Sequence, residues 1–320
     1  MKSVFAIALL TLLAGPVLAA ENMDSADPIK RGIDVSQFPR TKQIAPGVYT
    51  FEAFRSSGEP DNGQMTTVSL FVVGKDGVLL ADGQGTVKDT EALLAAIKKA
   101  TSLPLKYVVV CSDHGDHTNG DETIKTAFPD AQFISTPASQ KALEKSKVVP
   151  TELVTDKREI DLGSLKVDVL NLGRAHTGGD LSVYVPGPKV LFMSESYFHR
   201  VFPAMRSAYP TEWLATIKKA QDMDATWYIA GHGFVDDAAT MKKELEEFRK
   251  ATAYVITEVK RLHDAKLPCE RGAPGSKDPA EGCPAVQQAN WGPYATWEGH
   301  TVQGKVAILK VYEELDGKLN

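Results

Sequence analysis

Residues 111–120 read CSDHGDHTNG and crowd His114, Asp116 and His117 into four positions, directly after the apolar run KYVVV. Imidazoles and carboxylates in that density suit a divalent cation. Zinc takes about four nitrogen, oxygen or sulfur donors at roughly 2 Å, and a catalytic site keeps one position open for water. Two further histidines stand in comparable places, His176 in GRAHTGGD and His232 in YIAGHG, so four of the seven histidines follow candidate strands and lie near glycines. Ser112 is the discordant residue. Its hydroxyl stays protonated at neutral pH and binds zinc far less well than a neutral imidazole. His263 and His300 read as surface residues, and Cys111 reads as a small buried apolar residue at a strand end.

The elements that must position these groups are legible from periodicity. GVYTFEAF, TVSLFVV and GVLLADG read as successive strands, the last two separated by the turn residues Gly74 to Gly77. DTEALLAAIKKA carries Leu93, Leu94 and Ile97 at helical spacing and leads into KYVVV, so the 111–120 segment sits beyond a strand's C-terminal end, where α/β sheets present loops to ligands. A strand and helix in QFISTPASQKALEK, the strand SLKVDVLNL, a hairpin of LSVYV and KVLFM, the helix TEWLATIKKAQ and the strand TWYIA follow. Met241, Leu245, Phe248, Val255, Val259 and Leu262 then mark one stripe of a long helix over 237–264. Residues 267–300 read as a loop pinned by Trp291, Tyr294 and Trp297, ahead of a last short helix with Val302, Val306 and Leu309. Strands first, then strand and helix alternating twice, predict an α/β (α+β) fold of two mixed sheets packed face to face with helices outside.

Composition narrows the partners. A chain of 320 residues, 43% hydrophobic and 24% charged, can bury a large core, and a net charge of −5 with scattered Lys and Arg excludes a nucleic-acid footprint. A small-molecule substrate is the expectation; oligomeric state is not readable. Residues 1–20 join Lys2 to an apolar run ending in small residues, the layout of a cleaved signal peptide, without the cysteine of a lipoprotein. The expected location is periplasmic or secreted, with no membrane span after signal removal. In an oxidising compartment Cys269 and Cys283 are expected to close a short loop, stabilising it by about 3 kcal/mol on the chain-entropy model, with three reduced thiols as the other reading.

DGVLLADGQG, LPLKYVVVCSDHGDHTNG, LNLGRAHTGGD, VLFMSESYF and YIAGHG, taken in order, resemble the five motif regions of the metallo-β-lactamase superfamily of metal-dependent hydrolases. The resemblance implies an αββα sandwich with one or two zinc ions at the sheet edge. It covers a metallo-β-lactamase-like domain over 43–240 and a C-terminal helical extension (241–320) similar to that of secreted members, behind the signal peptide (1–20) and a polar leader (21–42). The family's HxHxDH signature is altered here, because Ser112 replaces the first histidine. The resemblance implies one metal at residue 112, His114 and His176, another at Asp116, His117 and His232, and Glu195 in place of a bridging aspartate. Only the second triad is complete, so one tightly bound Zn²⁺ and a weaker second are expected. Asp82 matches a buried aspartate behind the ligands.

The reaction this implies is hydrolysis of an ester, lactone, amide or lactam, or a sulfate or phosphate ester, by water that zinc makes a hydroxide donor near pH 7. Asp116, if it does not ligate, could instead take a proton, and His114 or His176 could stabilise developing charge. Tyr197, Phe198, His199, Arg200 and Arg206 are read either as a rim loop facing an anionic, partly apolar substrate or as packing residues and solvated charge. The alternative class is a non-catalytic periplasmic protein that binds a metal or ligand in an eroded site.

Overall fold

A computed structural model describes residues 23–54, 65–272, 278 and 280–319. The signal peptide expected over 1–20 lies outside the described residues. The N-terminal half contains α1 (Pro28–Arg31), β1 (Arg40–Ala45), β2 (Val48–Phe54), β3 (Thr66–Val73), β4 (Val78–Ala81), α2 (Val87–Ala100) and β5 (Leu105–Val109). It continues through α3 (Gly115–Thr118), α4 (Asp121–Ala127), β6 (Gln132–Ser135), α5 (Pro137–Ala142) and β7 (Glu152–Leu153). The C-terminal half contains β8 (Lys157–Asp161), β9 (Lys166–Leu170), β10 (Ser182–Val185), β11 (Val190–Phe198), α6 (Pro210–Asp222) and β12 (Trp227–His232). It ends with α7 (Ala238–Asp264), α8 (Pro284–Gln288) and α9 (His300–Leu315).

The two expected sheets are halves of one curled sheet, ordered β7-β6-β5-β4-β3-β12-β11-β10-β9-β8, with β2 and β1 branching from β3. The reason lies in β3. Strand β2 takes one edge of β3 from Thr66 to Val72, so β4 and β12 share the other, β4 pairing with Leu70 to Val73 and β12 touching only at His232 opposite Thr67. Past that single pair the halves fold against each other.

Strand alternation sorts the core into three layers. Val68, Leu70, Val72, Leu79 and Val109 of one half meet Val167, Val183, Val190, Phe192 and Ile229 of the other, forming the apolar seam between the halves. Phe71, Val78, Leu80 and Val108 point the other way, under Leu93, Leu94 and Ile97 of α2. Leu191, Met193, Tyr228 and Ala230 point outward under α6, α7 and α9. Helix–sheet–sheet–helix layering follows.

Helix starts obey local rules. Thr86 accepts from the amide of Asp89 at 3.1 Å and donates to its carboxylate at 2.6 Å, an N-cap for α2. Asp237 accepts from the amides of Ala239 and Thr240, opening α7. The whole expected stripe, Met241 to Leu262, is buried. Cys269 and Cys283 form a disulfide, and Cys111 is a buried free thiol. The polar leader is not a bare tether: buried Arg31 pairs with Asp236, and Arg40 makes two hydrogen bonds to buried Glu52. No described helix is long and apolar enough to cross a membrane.

Phe248 of α7 lies 5.5–5.8 Å, ring to ring, from Phe198, Trp213 and Tyr197. Phe248→Ala should therefore open a cavity behind β11 and cost about 3–5 kcal/mol of stability, read from urea denaturation of metal-free protein.

Candidate metal centre

Five loops and strand ends deliver the polar groups to one spot. Asp82 follows β4 in a left-handed conformation (φ 60°). One of its oxygens accepts from the amide of Cys111 at 2.7 Å; the other accepts from Ser194 Oγ and lies 3.0 Å from Nδ1 of His117. His117 sits on the short turn α3, wholly buried. His232 ends β12, where pairing with Thr67 sets its Nδ1 3.0 Å from the carbonyl of Thr66. An oxygen thus lies 3.0 Å behind each Nδ1 atom, and the Nε2 atoms face each other at 3.4 Å.

Glu195 reaches the centre because β11 breaks step. Ser194 is left-handed (φ 48°) and the β11–β12 register shifts on both sides of it. A side chain on Gly231 would strike the Ser194 carbonyl at 2.8 Å, so glycine is required where β12 crosses the bulge. Glu195 Oε1 then lies 3.1 Å from His232 Nε2 and 3.3 Å from His176 Nε2, while Oε2 lies 2.9 Å from His114 Nδ1. Asp116 Oδ2 completes the ring at 3.2 Å from His232 Nε2.

Two donor groups result, Asp116, His117, Glu195 and His232 in one and His114, His176 and Glu195 in the other, each with ligand atoms within 4.8 Å of one another. Ser112 belongs to neither. Its hydroxyl donates to Glu195 Oε2 and accepts from the amide of His114 at 3.3 Å. Asp113 turns away to accept from Ser139.

The electrostatics fit a cation. Burial disfavours imidazolium at His114 and His232, yet Glu195, joined at His232 by Asp116, outweighs it and lifts both pKa values to about 9. At buried His176 desolvation prevails and the pKa falls. Burial would raise the carboxyl of Glu195, but His176 and His114 hold it well below the usual range; burial of Asp116 is likewise outweighed by the hydrogen bond from His232. Carboxylates kept ionised in a buried pocket, with imidazole nitrogens drawn towards positive charge, are what a divalent ion would exploit.

Three expected rim residues are elsewhere. Tyr197 is fully buried and donates to the Met241 carbonyl at 3.2 Å; it lies on β11, not on a loop. His199 is buried with Nδ1 2.6 Å from the carbonyl of Phe234. Arg200 points back to α7, donating to Glu244 at 2.7 Å and pairing with Asp24 at 3.0 Å. β11 runs past Glu195 to Phe198, burying Tyr197, and the bend that follows turns His199 and Arg200 away from the centre. Arg206 is exposed beside the centre, next to Ser207, whose Oγ is 3.4 Å from His114 Nε2. Ser194, the Thr66 carbonyl and the wall supplied by α9 were not anticipated; a serine before Glu195 was the one available cue.

This layering, with donors gathered at the edge of the sheet, is an arrangement suited to a metal centre. The chain belongs to the metallo-beta-lactamase superfamily, whose family model matches residues 62–232, more than half its length. It is 23% identical over 203 residues to the Beta-lactamase-like protein 2 homolog of Caenorhabditis elegans, covering 63% of this chain and 67% of that one. It is 24% identical over 207 residues to a Hydroxyacylglutathione hydrolase of Brucella anthropi, covering 62% and 77%. A solved Metallo-beta-lactamase from Pontibacter korlensis superimposes with a TM-score of 0.58 at 20% identity, covering 66% of this chain and 98% of that one.

Asp82→Asn removes the charge behind His117 while keeping its shape. It should weaken divalent-metal affinity about 10–100-fold, measured by chelator competition, with secondary structure retained in circular dichroism.

Proposed function

We propose that this protein is an exported, zinc-dependent hydrolase of a small molecule. The observation that carries this reading is the convergence of Asp116, His117, Glu195 and His232 within 4.8 Å, three of them, Asp116, Glu195 and His232, lining a cleft of about 350 Å³. Those four residues would hold the tightly bound ion, and His114, His176 and Glu195 a weaker second. A bound zinc ion would lower the pKa of water towards 7 and polarise the oxygen of an ester, lactone, amide or lactam, or a sulfate or phosphate ester.

The chain's own residues supply the rest. Asp116 faces the same cleft as His114 and His176 and, where it does not ligate the ion, would instead take a proton from attacking water. His114 and His176 are placed to donate hydrogen bonds to charge developing on the attacked group. Asp82 and the Thr66 carbonyl keep His117 and His232 in the tautomer that presents Nε2. Ser112 holds Glu195 instead of a metal. Export is supported by the signal-like residues 1–20 and the Cys269–Cys283 disulfide, a bond favoured in oxidising compartments. The relatives' hydrolase names support the reaction class.

Metal analysis of protein purified without added zinc should find about one equivalent, and Asp116→Ala should abolish turnover in an esterase, lactonase, lactamase and sulfatase screen. Ligand binding without turnover in wild type would instead establish a non-catalytic carrier. Ser112→His should raise zinc towards two equivalents; wild type already holding two would overturn the role given to Ser112.

A further inference from the structure

Two clefts meet at the metal centre, and His114, Asp116 and Arg206 line both. One, of about 280 Å³, is polar and carries Gln84, Thr86 and Asn119. The other, of about 350 Å³, has Val201 and Ala204 on one side and Gly299, Val302 and Val306 on the other. Its second side is the start of α9, contributed by a segment outside the family match at 62–232.

That wall is built in place. Val201 and Glu298 form a parallel bridge, the amide of Phe202 donates to the Glu298 carbonyl at 2.9 Å, and the amide of Glu298 donates to the Arg200 carbonyl at 3.2 Å. Gly299 is left-handed (φ 77°) and starts α9 at that point. Gly304 admits Trp291 one turn later, where a Cβ would meet the indole at 2.8 Å. Lys30 and Arg200 add ion pairs to Glu298 and Asp24 around the bridge. Val302 and Val306 remain half-buried, their exposed part facing the cleft. Arg206 is exposed and, among the described residues, pairs with no carboxylate.

We infer that α9 and Arg206 select the substrate: an anionic acyl compound whose aliphatic arm lies between Val201–Ala204 and Val302–Val306, and whose negative group meets Arg206 beside the centre. This rests on the hydrolase reading and deepens it. An apolar trough with a single cation at its mouth favours an amphipathic monoanion, and a cleft of this volume limits the ligand to a small molecule. The polar cleft receives the departing half.

The probes are ethane-, butane- and hexanesulfonate, which are anionic but poor zinc ligands, and neutral hexanol, titrated calorimetrically into zinc-loaded protein. Affinity should rise by up to about fourfold for each methylene buried. Val302→Asp should abolish the dependence on chain length, and Val306→Phe, which fills the trough, should reject hexanesulfonate while retaining ethanesulfonate. Arg206→Gln should weaken the sulfonates about threefold to fivefold and leave hexanol unchanged. Chain-length dependence surviving both valine variants, or equal loss of hexanol and hexanesulfonate at Arg206→Gln, overturns the inference. Ester turnover is scored separately: chain-dependent binding without hydrolysis upholds the trough and refutes the hydrolase, whereas hydrolysis with binding indifferent to these variants does the reverse.

Discussion

The buried carboxylate of Glu195 is the constraint on which the centre depends. A charged group taken so far from water is tolerable only with partners on every side, and it has them: Ser112, His114, His176 and His232 all lie within hydrogen-bonding reach of its two oxygens. Those partners come from the loop after β5, the loop after β9 and the end of β12. One side chain thereby cross-links segments more than a hundred residues apart. Its own placement is forced by Ser194, whose left-handed backbone turns β11 out of step and whose hydroxyl is tied to Asp82.

Asp82 carries that constraint across the molecule. It belongs to the first half of the sheet, yet it binds the amide of Cys111, the hydroxyl of Ser194 from the second half, and the ring of His117. The curl of the sheet brings these within reach. Because β3 gives one edge to both β4 and β12, the ends of both halves open at the same place, and the apolar seam of Val68, Leu70, Val183 and Phe192 holds them there. Hydrophobic packing sets the distance between the halves; the polar network at its end sets orientation.

Much of this was legible because it is local. Strand alternation in TVSLFVV, the stripe from Met241 to Leu262 and the capping signal before α2 each reflect contacts that repeat along a few residues, and the layered fold follows from them. The histidines that gather at the centre were marked by glycine-flanked positions past strand ends. What escaped was long-range or subtle. Nothing in YFHR distinguishes a rim loop from a strand that runs on to Phe198 and a bend that turns Arg200 to α7, so neither the burial of Tyr197 nor the turn of Arg200 is legible there. The single-sheet topology turns on one residue pair, His232 with Thr67, and periodicity cannot register that. Nor could it show that Val302 would face Val201 across a cleft, since their proximity is fixed by the Glu298 bridge.

Ser112 makes the two donor groups unequal in more than number. On the side of Asp116, His117 and His232, an acceptor lies behind each ring: Asp82 Oδ2 is 3.0 Å from His117 Nδ1, and the Thr66 carbonyl is 3.0 Å from His232 Nδ1. On the other side, buried His176 Nδ1 has no hydrogen-bond partner among the described residues, and His114 is backed only by Ser207 at 3.4 Å. His176 is held instead by packing against Phe198 and Trp213, at ring distances of 5.2 and 5.4 Å, and lacks the acceptor that would raise its basicity. Loss of the first histidine is therefore matched by weaker support of the two that remain. Ser112 meanwhile keeps a hydroxyl on Glu195, the one carboxylate the two groups share. The substitution removes a donor from one group while steadying the carboxylate that the better-organised group uses.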